Sequence, residues 1–390
     1  MLKSPQETPA AVNAPAPEAA EAPVLFSTLA AGAHRIGLAR LNRPKQLNGL
    51  NLEMVRLLSA QLRQWRSDQS IAVVILRGEG ERAFCAGGDV AEVVRRVRAA
   101  PEHPARFAYG DAFFEEEYLL DRQIHHFGKP LVLLSHGINM GGGLGLSAGA
   151  SHRILAEDSQ LAMPEVRIGL FPDVGAGYFL HRLAPGVGLA MALTGLTLNE
   201  ADALDTGLFD AYLPRSQWED AIDRLSATRF SGVWAHDHAM VTAWMLAFAT
   251  GHPPRSVDVG IGRRRDALRR IGLASSPLDF RRALESEARS DRWFEAPLHT
   301  LKTGSALSVH VSFRFLRSTL RLSLDEVFEL DLSLARQFLR REDFPEGVRA
   351  LLIDKDRNPR WKYPALEQVP AGEVESHFAD LSGDAARLAT

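Results

Sequence analysis

Apolar residues follow two rhythms along this chain. In the first half they gather into short unbroken runs, and toward the end they recur every three or four positions. Ile71–Gly78, IAVVILRG, is a continuous β-branched run of the kind buried on both faces of a sheet. His34–Leu41 also reads as a strand, and Asn42-Arg43-Pro44 turns the chain after it. Between these strands Asn51 is placed to cap a helix in which Val55, Leu58, Leu62 and Trp65 return at helical spacing. The 71–78 run leads into Gly80 and FCAGGD, 84–89; an acidic, mostly helical stretch follows, and a strand from Pro130 to Ser135 opens into HGINMGGGLGL. After Leu180 the pattern is helical. Thr197 and Glu200 read as a capping box, with Gly207 ending that short helix, and Ser323 with Glu326 read as another ahead of Val327, Leu330, Leu334 and Phe338. From about residue 225 no strand is predicted, and no repeat of fixed period appears. The expected layout is a tail over 1–23, a strand–helix core over 24–225 and a helical region over 226–390.

Composition narrows the class. A chain of 390 residues can bury a large core, and a net charge of −3 with no dense basic face argues against nucleic acid as partner. No run approaches the ~18–20 apolar residues of a membrane span. Cys85 is the single cysteine, which leaves no internal disulfide and fits a reducing compartment. The first 23 residues are rich in Ala and Pro with Glu7, Glu18 and Glu21, unlike a signal or transit peptide; a disordered tail and a cytoplasmic location are expected.

The glycine stretch admits three chemistries. Gly145-Leu146-Ser147-Ala148-Gly149 matches the G-x-S-x-G elbow of serine hydrolases, but that elbow follows its strand directly, and here Gly137 to Gly143 intervenes. Ser147 is expected one turn inside a helix. Gly143, Gly145 and Ala148 fit a dinucleotide fingerprint with Glu165 as the ribose acid, yet Glu165 follows Met163-Pro164 where a strand end is required. In the third reading, residues without Cβ let a ligand approach bare backbone. Two such loops, after Phe84 and after Met140, then each supply an N–H to one carbonyl oxygen, as an enolate or tetrahedral intermediate requires. Tight turns packing helix on sheet are the purely structural alternative.

FCAGGD, HGINMGGGLGL and MPEVRIGLFPDVGAGYFL together resemble the enoyl-CoA hydratase/isomerase (crotonase) superfamily, and within it the 3-hydroxyisobutyryl-CoA hydrolase branch. The likeness runs from about Phe26 to Ala211 and resumes in DFPEGVRALLIDKDRNPRWKYP, 343–364, a segment that ordinary hydratases lack. The resemblance implies an α/β fold, the crotonase (ClpP-like) spiral of ββα units with a helical C-terminal region, and an acyl-CoA thioester whose carbonyl sits between the N–H groups of Ala86 and Gly142. Gly87, Gly88, Asp89 and Gly141 of the same loops are expected to bind substrate. Hydratases carry a second catalytic glutamate two residues after the glycine triplet, where this chain has Gly145. Adding water to a double bond calls for two carboxylates, so hydrolysis is the expected reaction.

Three acids are singled out. Glu165 lies among Met163, Pro164 and Val166, company that raises a carboxyl pKa and suits a base or nucleophile; its bland alternative is a turn cap. Asp173 follows Phe171-Pro172 and either meets the substrate's 3-hydroxyl or water, or merely begins a turn. A helical wheel sets Glu117 on the face of Phe113, Phe114, Leu120 and Ile124, with Glu115 pointing away; the branch has a substrate-contacting glutamate there, and a buried ion pair with arginine is the alternative. Cys85 reads as core filler and His136 as structural. Arg263 to Arg265 with Arg269 and Arg270 read as a solvated face ahead of a CoA-phosphate site. The expected activity is hydrolysis of 3-hydroxyisobutyryl-CoA, with 3-hydroxypropionyl-CoA as second substrate, in valine breakdown. No metal or redox cofactor is expected, CoA being part of the substrate; a homo-oligomer is compatible. The alternatives are an enoyl-CoA hydratase or isomerase, and a CoA-binding protein without turnover.

Overall fold

The structure, a computed structural model, describes residues 22–249, 254 and 260–379. The tail expected over 1–23 falls almost wholly outside the described residues. Among the described residues nine strands form two sheets. The larger contains β1 (Val24–Ala31), β2 (His34–Leu41), β3 (Ile71–Gly78), β5 (Leu131–Ser135), β7 (His152–Leu155) and β9 (Ala211–Tyr212), in that spatial order. Only β1 and β2 pair antiparallel; every other neighbour is parallel. The smaller sheet is β4 (Ala83–Cys85), β6 (Ile138–Met140) and β8 (Gln160–Ala162), all parallel. Three times in succession the chain lays one strand in the large sheet and the next in the small one: β3 then β4, β5 then β6, β7 then β8. This alternation is the predicted spiral.

Local sequence accounts for most of these elements. Helix α1 (Leu52–Ser67) starts where the Asn51 side chain accepts from Met54 N–H, and it buries Val55, Leu58, Leu62 and Trp65. The capping box at Ser323 is formed as read, opening the helix Leu324–Arg340 with Val327, Leu330, Leu334 and Phe338 buried. The box assigned to Thr197 is not formed. Asn199 caps that helix instead, accepting from Asp202 N–H at 2.8 Å, because the helix begins at Glu200 and a cap must directly precede its first turn. Gly207 does close it, at φ +77°. Strands β7, β8 and β9, two to four residues each, carry too few positions for a periodic signal.

Beyond residue 225 no strand occurs among the described residues. The helical region is not a separate core. Phe171 of the first part packs against Phe315 and Phe338 of the second, with centroids 5.1 and 5.5 Å apart, and Phe114 meets Phe344. The other face of the large sheet is covered by Val241, Trp244 and Met245 of the helix Trp234–Ala249.

The contact that matters most for the site joins the short turn Glu165–Ile168 to the helix Asp343–Val348. Gly169 and Gly347 allow backbone to lie on backbone: a Cβ at Gly169 would strike the Asp343 carbonyl, and one at Gly347 the Ile168 carbonyl. Ser305 Oγ binds Asp343 Oδ2, and Ser305 N–H donates to the Val166 carbonyl at 3.0 Å. The C-terminal segment therefore fixes the turn that carries Glu165. Gly347→Ala should lower stability by about 1–3 kcal/mol, as overpacking does. This would be read as a lower urea midpoint at unchanged m; an unshifted midpoint would mean that the two segments do not touch in solution.

Candidate active site

Three turns leave the carboxyl ends of β4, β6 and β8, and parallel pairing sets them side by side. The β4 turn is Ala86-Gly87-Gly88, with Gly87 at φ +101°. The β6 turn is Gly141, φ +51°, and Gly142, the first residue of α4 (Gly142–Ala148). The β8 turn brings Glu165. A cavity of about 490 Å³ opens among them, lined by both glycine loops, Glu117, Glu165 and Asp173.

The donor expected at Ala86 is not available. Its N–H donates to the Leu47 carbonyl at 3.0 Å. Among the described residues nothing accepts from Gly88 N–H, and Gly142 N–H, in the first helical turn, has no intrahelical acceptor. The two are close: a Cβ on Gly142 would lie 3.3 Å from the Gly88 nitrogen. Gly88 thus takes the place assigned to Ala86. Asp89 is drawn away from the cavity. Its carboxylate accepts from Glu92 N–H to cap α2 (Val90–Ala99) and pairs with Arg43 at 3.2 Å, and it does not line the cavity.

The acids are gathered tightly. Glu165 is 5% exposed; a Cβ on Gly141 would come 2.9 Å from its Oε1, and its Oε2 has no hydrogen-bond partner. Burial, then Asp173 and Glu117 nearby, push its pKa well above the usual carboxylate range. Glu117, on α3 (Ala108–His125), is 2% exposed; its Oε1 is unpartnered and lies beside Gly142 and Gly88. The arginine ion pair weighed for it is not formed, and burial followed by Asp173 raises its pKa strongly. Glu115 does point away, to Arg336. Asp173 begins a turn with its backbone, as its alternative supposed, while its carboxylate accepts from Tyr118 Oη at 2.5 Å. Burial lifts Asp173 to about 6, with the Tyr118 hydrogen bond and a backbone N–H holding it down. It is the carboxyl of this group that most readily carries charge.

Sequence reasoning overlooked two members. Asp121, one helical turn beyond Glu117, is fully buried with both oxygens unpartnered; burial, then Glu117, Asp173 and Asp331, raise its pKa strongly. The helical wheel that found Glu117 puts Asp121 on the same face. Asp331, of the helix Leu324–Arg340, accepts from Gly175 N–H at 2.8 Å and leaves Oδ1 unpartnered. Its signal was an acid four residues after the buried Val327.

The other residues read from sequence lie elsewhere. Ser147 Oγ donates to the Gly143 carbonyl at 2.7 Å and accepts from Asn139, so it is a helix-packing hydroxyl. Burial pushes Cys85 up to about 12, and His136, packed on Trp218, down to about 4. Arg264, Arg265 and Arg270 pair with Asp291, Asp205 and Glu287. No group of three His, Cys, Asp or Glu side chains suited to a metal ion occurs among the described residues.

A ββα spiral whose small parallel sheet ends in two glycine loops beside buried acids defines a protein of the crotonase fold. The chain belongs to the enoyl-CoA hydratase/isomerase family, whose model matches residues 36–378. It is 36% identical over 352 residues, 90% of this chain and 88% of the relative, to a protein of Xenopus tropicalis named 3-hydroxyisobutyryl-CoA hydrolase, mitochondrial. Among solved structures it is similar to one described as an enoyl-CoA hydratase from Rhodobacter sphaeroides 2.4.1, with TM-score 0.77 and 32% identity over 92% of this chain and 97% of that one. It is also similar to a carnitinyl-CoA dehydratase from Mycobacterium thermoresistibile, with TM-score 0.79 and 30% identity over 92% and 98%.

Asp121 makes a pH-dependent prediction. The folded chain keeps a proton on Asp121 that the unfolded chain gives up above its ordinary pKa of 3.8, so this residue costs stability increasingly as pH rises past that value. Asp121→Asn has no proton to retain. Its stability relative to the parent should climb between about pH 4 and pH 7, with a slope no steeper than one proton. Urea titrations across that range test it; a pH-independent difference would show that Asp121 is ionised in the folded state.

Proposed function

We propose that this chain hydrolyses the thioester of 3-hydroxyisobutyryl-CoA, releasing the hydroxy acid and CoA, with 3-hydroxypropionyl-CoA as a second substrate. The observation that carries the reading is the convergence of the free Gly88 and Gly142 N–H groups on the cavity that also holds Glu165. In this reading the thioester oxygen lies between those donors, each contributing ~10²–10³ in rate as negative charge develops. Glu165 delivers the attack on the carbonyl carbon, as base for a water or as nucleophile. Asp173, held in its charged form by Tyr118, accepts the 3-hydroxyl or orients water. Glu117, whose pKa burial and Asp173 raise, donates to the hydroxyl end in this reading. No metal or redox group enters these steps.

The acyl group is taken from the frog relative's name, and valine breakdown follows as part of the same proposal. A cytoplasmic location rests on the composition of the first 23 residues, whereas that relative is named as mitochondrial. The two solved structures bear hydratase and dehydratase names, which favours hydration as a second reading.

Thiol release from 3-hydroxyisobutyryl-CoA, measured beside hydration of crotonyl-CoA, separates the two. Thiol release that drops at least about a hundredfold in Glu165→Gln, without hydration, is the expected result. Hydration without thiol release would move the assignment to the second reading. In the parent enzyme kcat/KM should fall as pH drops through about 6, where Asp173 takes up its proton and Glu165, raised by burial and Asp173, is protonated too; a profile flat down to pH 5 would mean that neither carboxylate must be charged.

A further inference from the structure

The 343–364 segment carries a feature that the core chemistry does not use. Arg349 starts a π-helical turn, Arg349–Ile353, and its guanidinium gathers the loop that follows. Nε and Nη2 donate to Glu346, both at 2.8 Å; Nη1 donates to Asp354 at 2.9 Å and Asp356 at 2.6 Å; Nη2 also reaches the Asn358 carbonyl at 3.2 Å. Around the held aspartates the backbone is forced. Lys355 and Arg357 take left-handed φ of 59° and 56°, which non-glycine residues adopt only where surroundings over-determine them. The Arg357 N–H is tied back to the Ala350 carbonyl at 3.0 Å.

This geometry sorts the loop's charges. Its aspartates are spent on Arg349, while Arg357 is exposed, lines the cavity and has no ion-pair partner among the described residues. Arg167, two residues past Glu165, lines the same cavity, is likewise exposed, and also forms no ion pair among the described residues. Both cations stand where the cavity meets solvent, whereas the acids lie in its buried part. An acyl-CoA has the matching polarity: a neutral thioester at one end and phosphates at the other. Of the 263–270 arginines, by contrast, Arg264, Arg265 and Arg270 already hold acids of their own.

We propose that Arg357, presented by the loop that Arg349 clasps, and Arg167 form an anion subsite at the cavity mouth that takes the phosphate groups of the CoA moiety. The inference rests on the acyl-CoA reading of the cavity. Guanidinium suits the task because its planar fork meets phosphate oxygens in pairs. The clasp fixes the backbone that carries Arg357 before substrate arrives, so less freedom is lost on binding. Arg349 is a positioning residue and touches no ligand.

The test compares two thioesters of the same acid: the CoA ester and the pantetheine ester, which has no phosphate. Arg357→Ala and Arg167→Ala should each raise KM for the CoA ester about tenfold, so that the CoA-over-pantetheine ratio of kcat/KM falls by about that factor. Arg349→Ala should lower the same ratio, although it removes no group at the cavity mouth. An unchanged ratio in both Arg357→Ala and Arg167→Ala would overturn the proposal, as would equal losses with both esters. Should the parent cleave neither ester, the hydrolysis reading fails but the subsite is still tested, by dialysis with CoA itself. Binding about tenfold weaker in Arg357→Ala upholds it, and equal binding overturns it.

Discussion

Three strands of three residues each, paired in parallel, govern this molecule. β4, β6 and β8 end at the same edge, so the turns that follow them must meet, although they come from positions nearly eighty residues apart in the chain. The closeness is severe enough to dictate residue type. A Cβ on Gly143 would lie 2.5 Å from the Cys85 carbonyl oxygen, and one on Gly142 at 2.5 Å from Glu117 Oε1. The glycines are what such an approach leaves sterically possible, and the exposed N–H groups of Gly88 and Gly142 follow from it. Ligands of open parallel sheets gather at the carboxyl ends of strands for the same geometric reason.

Against that edge the fold holds Glu117, Asp121, Glu165, Asp173 and Asp331 in one largely buried region, with no cation paired to any of them among the described residues. Such a cluster is tolerable only if some members hold protons, and burial raises Glu117, Asp121 and Asp331 well above the usual carboxylate range. Charge then collects on Asp173, where Tyr118 and a backbone N–H support it. The opposing force is a continuous aromatic core. Phe171, between the two acids Glu165 and Asp173, is packed by Phe315 and Phe338 from the C-terminal helices. The long helical region thus holds the turn bearing Glu165 in place from behind, and the 343–364 segment locks it from above through Gly169 and Gly347.

What could be read in the chain was what local physics decides. The IAVVILRG strand, the Asn51 cap, the Ser323 box and the amphipathic face bearing Glu117 all depend on neighbours within a few residues, and all appear as read. The errors lie where a distant partner decides. Ala86 stands in the right loop, but its N–H is claimed by Leu47, thirty-nine positions earlier, and nothing in FCAGGD reveals this. Asp89 has the sequence position of a ligand, yet Arg43 and the first turn of α2 engage it. Thr197 lost the cap to Asn199 because the helix starts two residues later than its box implied. Asp121 was legible in the same wheel, on the face of Glu117, Leu120 and Ile124, where an acid among apolar residues is the same signal that singled out Glu117.

Gly145 shows how a missing side chain can be a constructive feature. A Cβ there would come 2.7 Å from Asp121 Oδ2 and 2.8 Å from Val174 Cβ, so the space in front of this glycine is already occupied. A carboxyl therefore does sit beside position 145, but it arrives from α3 and is fully buried, outside the residues that line the cavity. Among the described residues lining the cavity, only Glu117, Glu165 and Asp173 carry carboxyls, and none of them stands at position 145. Hydration needs one carboxyl to handle the water and another to handle the α-carbon proton on the same face of the substrate. Hydrolysis needs one attacking group and a place for the oxyanion. With Asp121 filling the approach from α4, the cavity is furnished for the simpler demand.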